Sequence, residues 1–157
     1  MTNINVKHIN PDEVAAILSA RSVQQNLGIE PRNKTIAGVE GGIRTLSGWK
    51  EEPGYLQKTA EVMAYSQEIG YQLKPAGPLD KGIPGRYNAS HAEKQMSIAE
   101  PNQPIGLSKE MCLDCQEYFR ALARYRGKLQ VVAEPKVTRI FRPEGNVDVL
   151  SVEPSRE

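Results

Sequence analysis

The chain has only two cysteines, three residues apart in Met111-Cys112-Leu113-Asp114-Cys115, and upstream Ser90-His91-Ala92-Glu93-Lys94-Gln95 supplies a histidine followed two residues later by a carboxylate. Zinc accepts thiolate sulfur and imidazole nitrogen at tetrahedral angles, so a fold that uses all three ligands must bring two separate helix starts to one point. Three such ligands leave a fourth position open, the pattern of a catalytic rather than a closed structural site, and this points to hydrolytic chemistry. The spacing of Cys112 and Cys115 puts both sulfurs in the first turn of a helix, whose N-terminus favours the thiolates. Glu93 shares a turn with His91 and can reach a water there without binding the metal. Other readings of the same residues stay open at this point. Ser90-x-x-Glu93 is also a capping box, and Cys-x-x-Cys alone also suits a redox pair or half of a structural zinc knuckle.

A chain of 157 residues that is 39% apolar fits one domain around a single core. It shows neither a long apolar run nor a leader-like start, so the expectation is a soluble protein, cytoplasmic or delivered into a target cell, with no membrane partner. Two cysteines placed for joint ligation fit a reducing compartment. A net charge of +1 argues against a strongly basic nucleic-acid binder. The charge is uneven, however: Arg120, Arg124, Arg126, Lys128, Lys136, Arg139 and Arg142 stand against Glu134 alone between residues 118 and 142. Arg120 and Arg124 share one helix face and are the candidates for contacts to a nucleic-acid backbone.

Along the chain, Asn10-Pro11-Asp12-Glu13 reads as a cap, a proline at the first helical position and an acidic first turn, predicting a helix that Gly28 stops. Thr35–Val39 and Ile43–Ser47 read as a hairpin around Glu40-Gly41-Gly42. Tyr55 to Ile69 has helical spacing and Gly70 as its stop. Lys74 to Gly85, with three prolines and three glycines, reads as an irregular loop placed to rim a site. A helix over about 91–99, a buried strand at 105–107 and a helix from Cys112 to Arg126 follow. Leu129–Val132 and Val137–Phe141 are separated by a turn too short for a parallel crossover, so they pair antiparallel. Residues 146–157 read as a polar C-terminal tail after a single domain over 1–145, with a helical N-terminal extension at about 10–28. Trp49, the only tryptophan, reads as core or rim packing.

His91-Ala92-Glu93 followed by Cys112-x-x-Cys115 resembles the zinc-dependent cytidine deaminase-like superfamily. The segments Gly85–Gln95 and Val137–Pro143, with the antiparallel final strands, look most like its toxin-type and fungal nucleic-acid deaminases. The resemblance implies a three-layer α/β/α sandwich with a mixed five-stranded sheet whose strands 4 and 5 are antiparallel. It implies Zn2+ held by His91, Cys112 and Cys115, Glu93 as the catalytic proton carrier, and hydrolytic conversion of cytosine to uracil, in single-stranded DNA rather than RNA. Arg86, Tyr87, Asn88 and Ser90, in the segment entering the motif, are the expected substrate-binding residues. An immunity or inhibitor protein is the expected partner of a toxin domain, and a monomer suits a polymer substrate. The alternatives are a deaminase of free cytidine or of a modified nucleoside, and a non-catalytic zinc-binding interaction domain. One departure stands out: Met111 occupies the place where the family usually has a proline before the first cysteine.

Overall fold

The computed structural model describes residues 10–28 and 33–152. The elements run in the order α1 (Pro11–Gln25), β1 (Ile36–Gly38), β2 (Arg44–Leu46), α2 (Thr59–Glu68), α3 (Arg86–Ala89), α4 (Ala92–Ala99), β3 (Ile105–Leu107), α5 (Leu113–Arg126), β4 (Gln130–Ala133), β5 (Val137–Phe141) and β6 (Val147–Ser151). The strands form one mixed sheet in the order β2-β1-β3-β4-β5-β6. Only β3 and β4 are parallel neighbours; β4 and β5 pair antiparallel, as their short turn requires. The fold is the α/β arrangement expected, with one correction. The sheet has six strands rather than five, and the sixth comes from the segment read as a polar tail. Asn146, Asp148 and Ser151 hide its strand character, yet β6 pairs with β5 over five residues and buries Leu150.

Alternation along the strands divides the core. Val131 and Ala133 of β4, with Ile140 of β5 and Leu150 of β6, face Ile17 and Ala20 of α1. Val132 and Phe141 point the other way, toward Met96 of α4 and Cys115, Phe119 and Leu122 of α5. One face of the sheet therefore carries α1 and the other carries α4 and α5, giving three layers. Gly106, between the buried Ile105 and Leu107, faces α1, where an added Cβ would lie 2.8 Å from the Cα of Gln24. The helix lies flush on the sheet at that point.

The helix signals work as physical chemistry dictates. The Asn10 side chain accepts the Glu13 N–H at 3.0 Å with Pro11 at the first position, and Gly127 ends α5 in the left-handed conformation. Helix α2 starts at Thr59 rather than Tyr55. The Lys74 to Gly85 loop holds one turn of 3-10 helix at Gly77–Asp80, where no regular structure was expected. Asp80 makes it possible: its buried carboxylate accepts N–H groups from Ala76 (2.7 Å), Gly85 (3.0 Å) and Tyr87 (2.9 Å). No helix among the described residues is long and apolar enough to cross a membrane.

Candidate metal centre and substrate pocket

Helix α4 runs back along β3, so its N-terminus lies beside the end of β3 that leads into α5. His91 and Cys112 are the N-cap residues of α4 and α5, and two helix N-termini thus converge on one spot. The His91 Nδ1 lies 3.1 Å from the Cys115 Sγ and 3.4 Å from the Cys112 Sγ. The donor atoms of all three residues lie within 4.8 Å of one another. Two ligand atoms bound to one zinc at usual bond lengths and a tetrahedral angle stand about 3.6 Å apart for nitrogen and sulfur, so these residues fit the ion with small adjustments. The group could hold a metal ion.

Electrostatics divides the two thiols. The Cys112 thiol is held down to about 3, chiefly by its hydrogen bond with Cys115, against the opposing effect of burial and with help from His91. The Cys115 N–H also points at the Cys112 sulfur, at 3.4 Å. Cys115 is fully buried, and burial together with the neighbouring sulfur pushes its thiol well up. Metal ligation needs both sulfurs as thiolates, so loading this group with a metal would be coupled to proton release.

The capping-box reading of Ser90 and Glu93 fails on the geometry. His91, not Ser90, caps α4, and the Ser90 N–H is already donated to the carbonyls of Arg86 (3.0 Å) and Tyr87 (3.2 Å). The Ser90 hydroxyl donates to the Tyr87 carbonyl at 2.7 Å. Glu93, 3% exposed, instead lines a cavity of about 660 Å³ together with His91 and Cys112. Such a volume suits a small aromatic ligand.

Two of the four expected substrate residues, Tyr87 and Ser90, line this cavity; Arg86 and Asn88 do not. The Tyr87 ring stands edge-on to His91 with centroids 5.3 Å apart and remains 39% exposed, so it forms a wall beside the candidate metal group. The Asn88 side chain donates to the Lys74 carbonyl at 2.8 Å and ties down the loop. Arg86 lies over the ring of Trp49, its Cζ 4.2 Å from the centroid. Arg120 and Arg124 are exposed on α5. At the helical rise they stand about 12 and 18 Å along the axis from Cys112. The rest of the basic stretch is largely committed: Arg126 donates to Tyr65 and the Ser97 carbonyl, Arg139 pairs with Glu134, and Arg142 pairs with Glu13 and Asp148.

Trp49, read from the sequence as core or rim packing, lines the cavity, and several further pocket residues escaped the sequence reading: Lys34, Lys50, Lys81 and Lys109, interspersed with Glu52 and Glu110. These lysines sit singly in loops and leave no pattern to detect. Equally unforeseen is what lies behind the His91, Cys112 and Cys115 group. In α4 the polar residues Glu93, Lys94, Gln95 and Ser97 are all buried. The Lys94 ammonium, fully buried, donates to Asp114 Oδ2 at 2.5 Å and to the Asn88 carbonyl at 2.8 Å. Asp114 also accepts the Tyr71 hydroxyl at 2.6 Å and the Lys74 N–H at 3.2 Å. Burial opposes both charges, but Cys115 and Asp114 raise the Lys94 ammonium above the usual lysine value, and Lys94 leads in lowering the Asp114 carboxyl. Gln95 donates to the carbonyls of Leu46 (2.9 Å), Gly48 (3.1 Å) and Ser90 (2.8 Å), which pins the loop bearing Trp49 to the histidine turn. The turn that lacks proline is held differently: Met111 is buried and its carbonyl accepts the Gln116 side chain at 3.1 Å.

Residues 44–97, which are 54 of the chain's 157, match the family described as single-strand DNA deaminase toxin A, C-terminal. The matched stretch runs from β2 through α2 and α3 into α4, carries His91 and Glu93, and stops before the cysteines. It supports the resemblance to single-strand DNA deaminases, and with it a deaminase activity. No curated protein matches the chain.

Proposed function

We propose that the chain is a zinc-dependent hydrolytic deaminase that converts cytosine to uracil in single-stranded DNA. The observation that carries the reading is the convergence of His91, Cys112 and Cys115 at the edge of a cavity that Glu93 also lines. The partial match to single-strand DNA deaminase toxins supports the choice of substrate. Zinc, which His91, Cys112 and Cys115 would hold, would supply Lewis acidity and bring the pKa of a water toward neutrality.

The remaining work falls to the chain's own residues. The Glu93 carboxylate takes one proton from the attacking water as its oxygen bonds to C4 and delivers it to N3 of the base, then carries that oxygen's remaining proton to the exocyclic amine, whose bond to C4 breaks as ammonia leaves. Tyr87 offers an aromatic wall against which the base orients. The buried Lys94–Asp114 pair fixes the start of α5 against α4 and so holds the cysteines at their distance from His91. A single strand can offer an unpaired base to this cavity, whereas a duplex must first be unstacked and unpaired. In this reading a toxin partner, such as an immunity protein, would act by covering the cavity mouth.

The test is incubation of the zinc-loaded protein with single-stranded and duplex DNA, single-stranded RNA and free cytidine, followed by sequencing or base analysis. Conversion concentrated in single-stranded DNA, with Glu93→Ala retaining zinc and fold while turnover drops by about 10²-fold or more, is the expected result. Turnover of free cytidine with none in any oligonucleotide would place the protein among nucleoside deaminases. A fully active Glu93→Ala protein overturns the mechanism.

A further inference from the structure

Trp49 has a cavity on each side. It lines the 660 Å³ cavity that holds Glu93 and also a second cavity of about 310 Å³, which does not reach the metal ligands. Arg86 lines only the second, so its guanidinium covers the indole from that side. The guanidinium is clamped: Nε donates to the Asp80 carbonyl at 3.2 Å and Nη2 to the Lys81 carbonyl at 3.1 Å. Nη1 has no hydrogen-bond partner among the described residues, and Arg86 lines the cavity. Ala60, Met63 and Ile83 make the remaining wall largely apolar, and Glu61 places a carboxylate there. That carboxylate repels phosphate. A flat, heteroatom-edged ring that packs on the apolar wall and turns one acceptor edge toward the guanidinium suits this chemistry, and among the parts of a nucleic acid that is a base.

We infer that the second cavity is the subsite for the nucleobase next to the target in the same strand, and that Arg86, backed by Trp49, reads that base. The inference rests on the larger cavity being the target-base site. A strand that places one base against Glu93 carries its neighbour past the indole, which acts as the partition between the two. The apolar wall packs any base, whereas Nη1, donating in the guanidinium plane, favours one that turns a carbonyl or ring-nitrogen acceptor toward it edge-on, so the subsite selects sequence. Asp80 serves as a positioning residue, since the loop it organises presents the carbonyls that clamp Arg86.

Two measurements test this, and the first needs no catalysis. Trp49 is the only tryptophan, so its fluorescence reports the partition directly. Titration of the zinc-loaded protein with cytosine-free single strands of about eight nucleotides (dT, dA, and dT carrying one dG) is expected to quench it saturably, with affinity differing among the strands. Arg86→Ala is expected to weaken that binding about tenfold and to abolish the difference. The second measurement sequences a single-stranded DNA pool with randomised neighbours of cytosine. Wild type is expected to show a preference at one adjacent position, which Arg86→Ala and Arg86→Lys flatten while remaining folded and zinc-loaded. No quenching, or an unchanged preference in both folded variants, overturns the subsite. Saturable quenching with no deamination of any substrate would instead count against the deaminase reading while leaving the base subsite standing.

Discussion

The buried ion pair behind the metal ligands makes the sharpest quantitative prediction. Asp114→Ala removes the ion-pair partner of the fully buried Lys94 ammonium and leaves it the Asn88 carbonyl, the ring of Tyr118 5.8 Å away and the attraction of Cys115 and Glu93. Leaving one charge of a buried pair unmatched costs about 3–5 kcal/mol, and in a chain of this size each kcal/mol moves the melting temperature by about 2–4 °C, so a drop of roughly 6–20 °C is expected. Lys94→Met is milder. Asp114 would keep the Tyr71 hydroxyl and the Lys74 N–H, and the loss reduces to one charge-assisted hydrogen bond, about 1.5–3 kcal/mol. The double variant buries neither charge and should cost less than the two single changes added together, with a coupling above about 1 kcal/mol. Urea and thermal unfolding followed by circular dichroism, at one fixed free-zinc level because metal binding adds its own stability, gives all three values. Additive single changes, or a Lys94→Met protein less stable than Asp114→Ala, would show that the ammonium is not matched by Asp114.

Elemental analysis of the wild type should give about one zinc per chain, and a Cys112→Ser/Cys115→Ser protein should give none; full retention of the metal would refute the ligand set. Replacing Lys50 and Lys81 at the cavity mouth with glutamine should lower the slope of log affinity for a single strand against log salt by about 1.4, while the same change at Arg120 and Arg124 on α5 should have the smaller effect. Asp80→Asn should lower stability at neutral pH. Burial opposes the charge of Asp80, but its three backbone N–H donors win and its carboxyl is lowered from 3.8. The contribution is therefore fully present above the unfolded value and lost as pH falls through the folded one, so the melting curves of variant and wild type should converge in acid; a gap that stays constant with pH contradicts this.

The parts of the fold and site that were legible in the sequence are those fixed by neighbours along the chain. The cap at Asn10, the Glu40-Gly41-Gly42 hairpin turn and the antiparallel final strands depend on local chemistry or on the length of a connection. The His91, Cys112 and Cys115 cluster was legible because metal coordination restricts both residue type and spacing. Lys94 and Asp114 were not, since nothing at either position announces a partner twenty residues away, and a helix written Ala-Glu-Lys-Gln looks solvated until two helices and a sheet enclose it. Strand β6 was missed because Asp148 and Ser151 interrupt its apolar residues and only Leu150 is buried, Val149 being exposed. Arg86, expected at the substrate site from its place beside the histidine turn, instead lies over Trp49 and lines a cavity that His91, Cys112 and Cys115 do not, which only the fold shows.

Gly38 and Gly106 stand opposite each other in the register of β1 and β3, and their evolutionary freedom differs. A side chain at residue 38 would meet the far ends of Arg44 and Leu27, which can swing aside. At residue 106 it would meet the backbone of α1 at Gln24, which cannot move without lifting the helix from the sheet. The short path from His91 to Cys112 runs through β3, so that displacement would be felt at both ends of the ligand set. Residue 38 is open to mutational drift. Residue 106 is closed to every side chain, and lineages of this fold that keep α1 against β3 are bound to keep a glycine there.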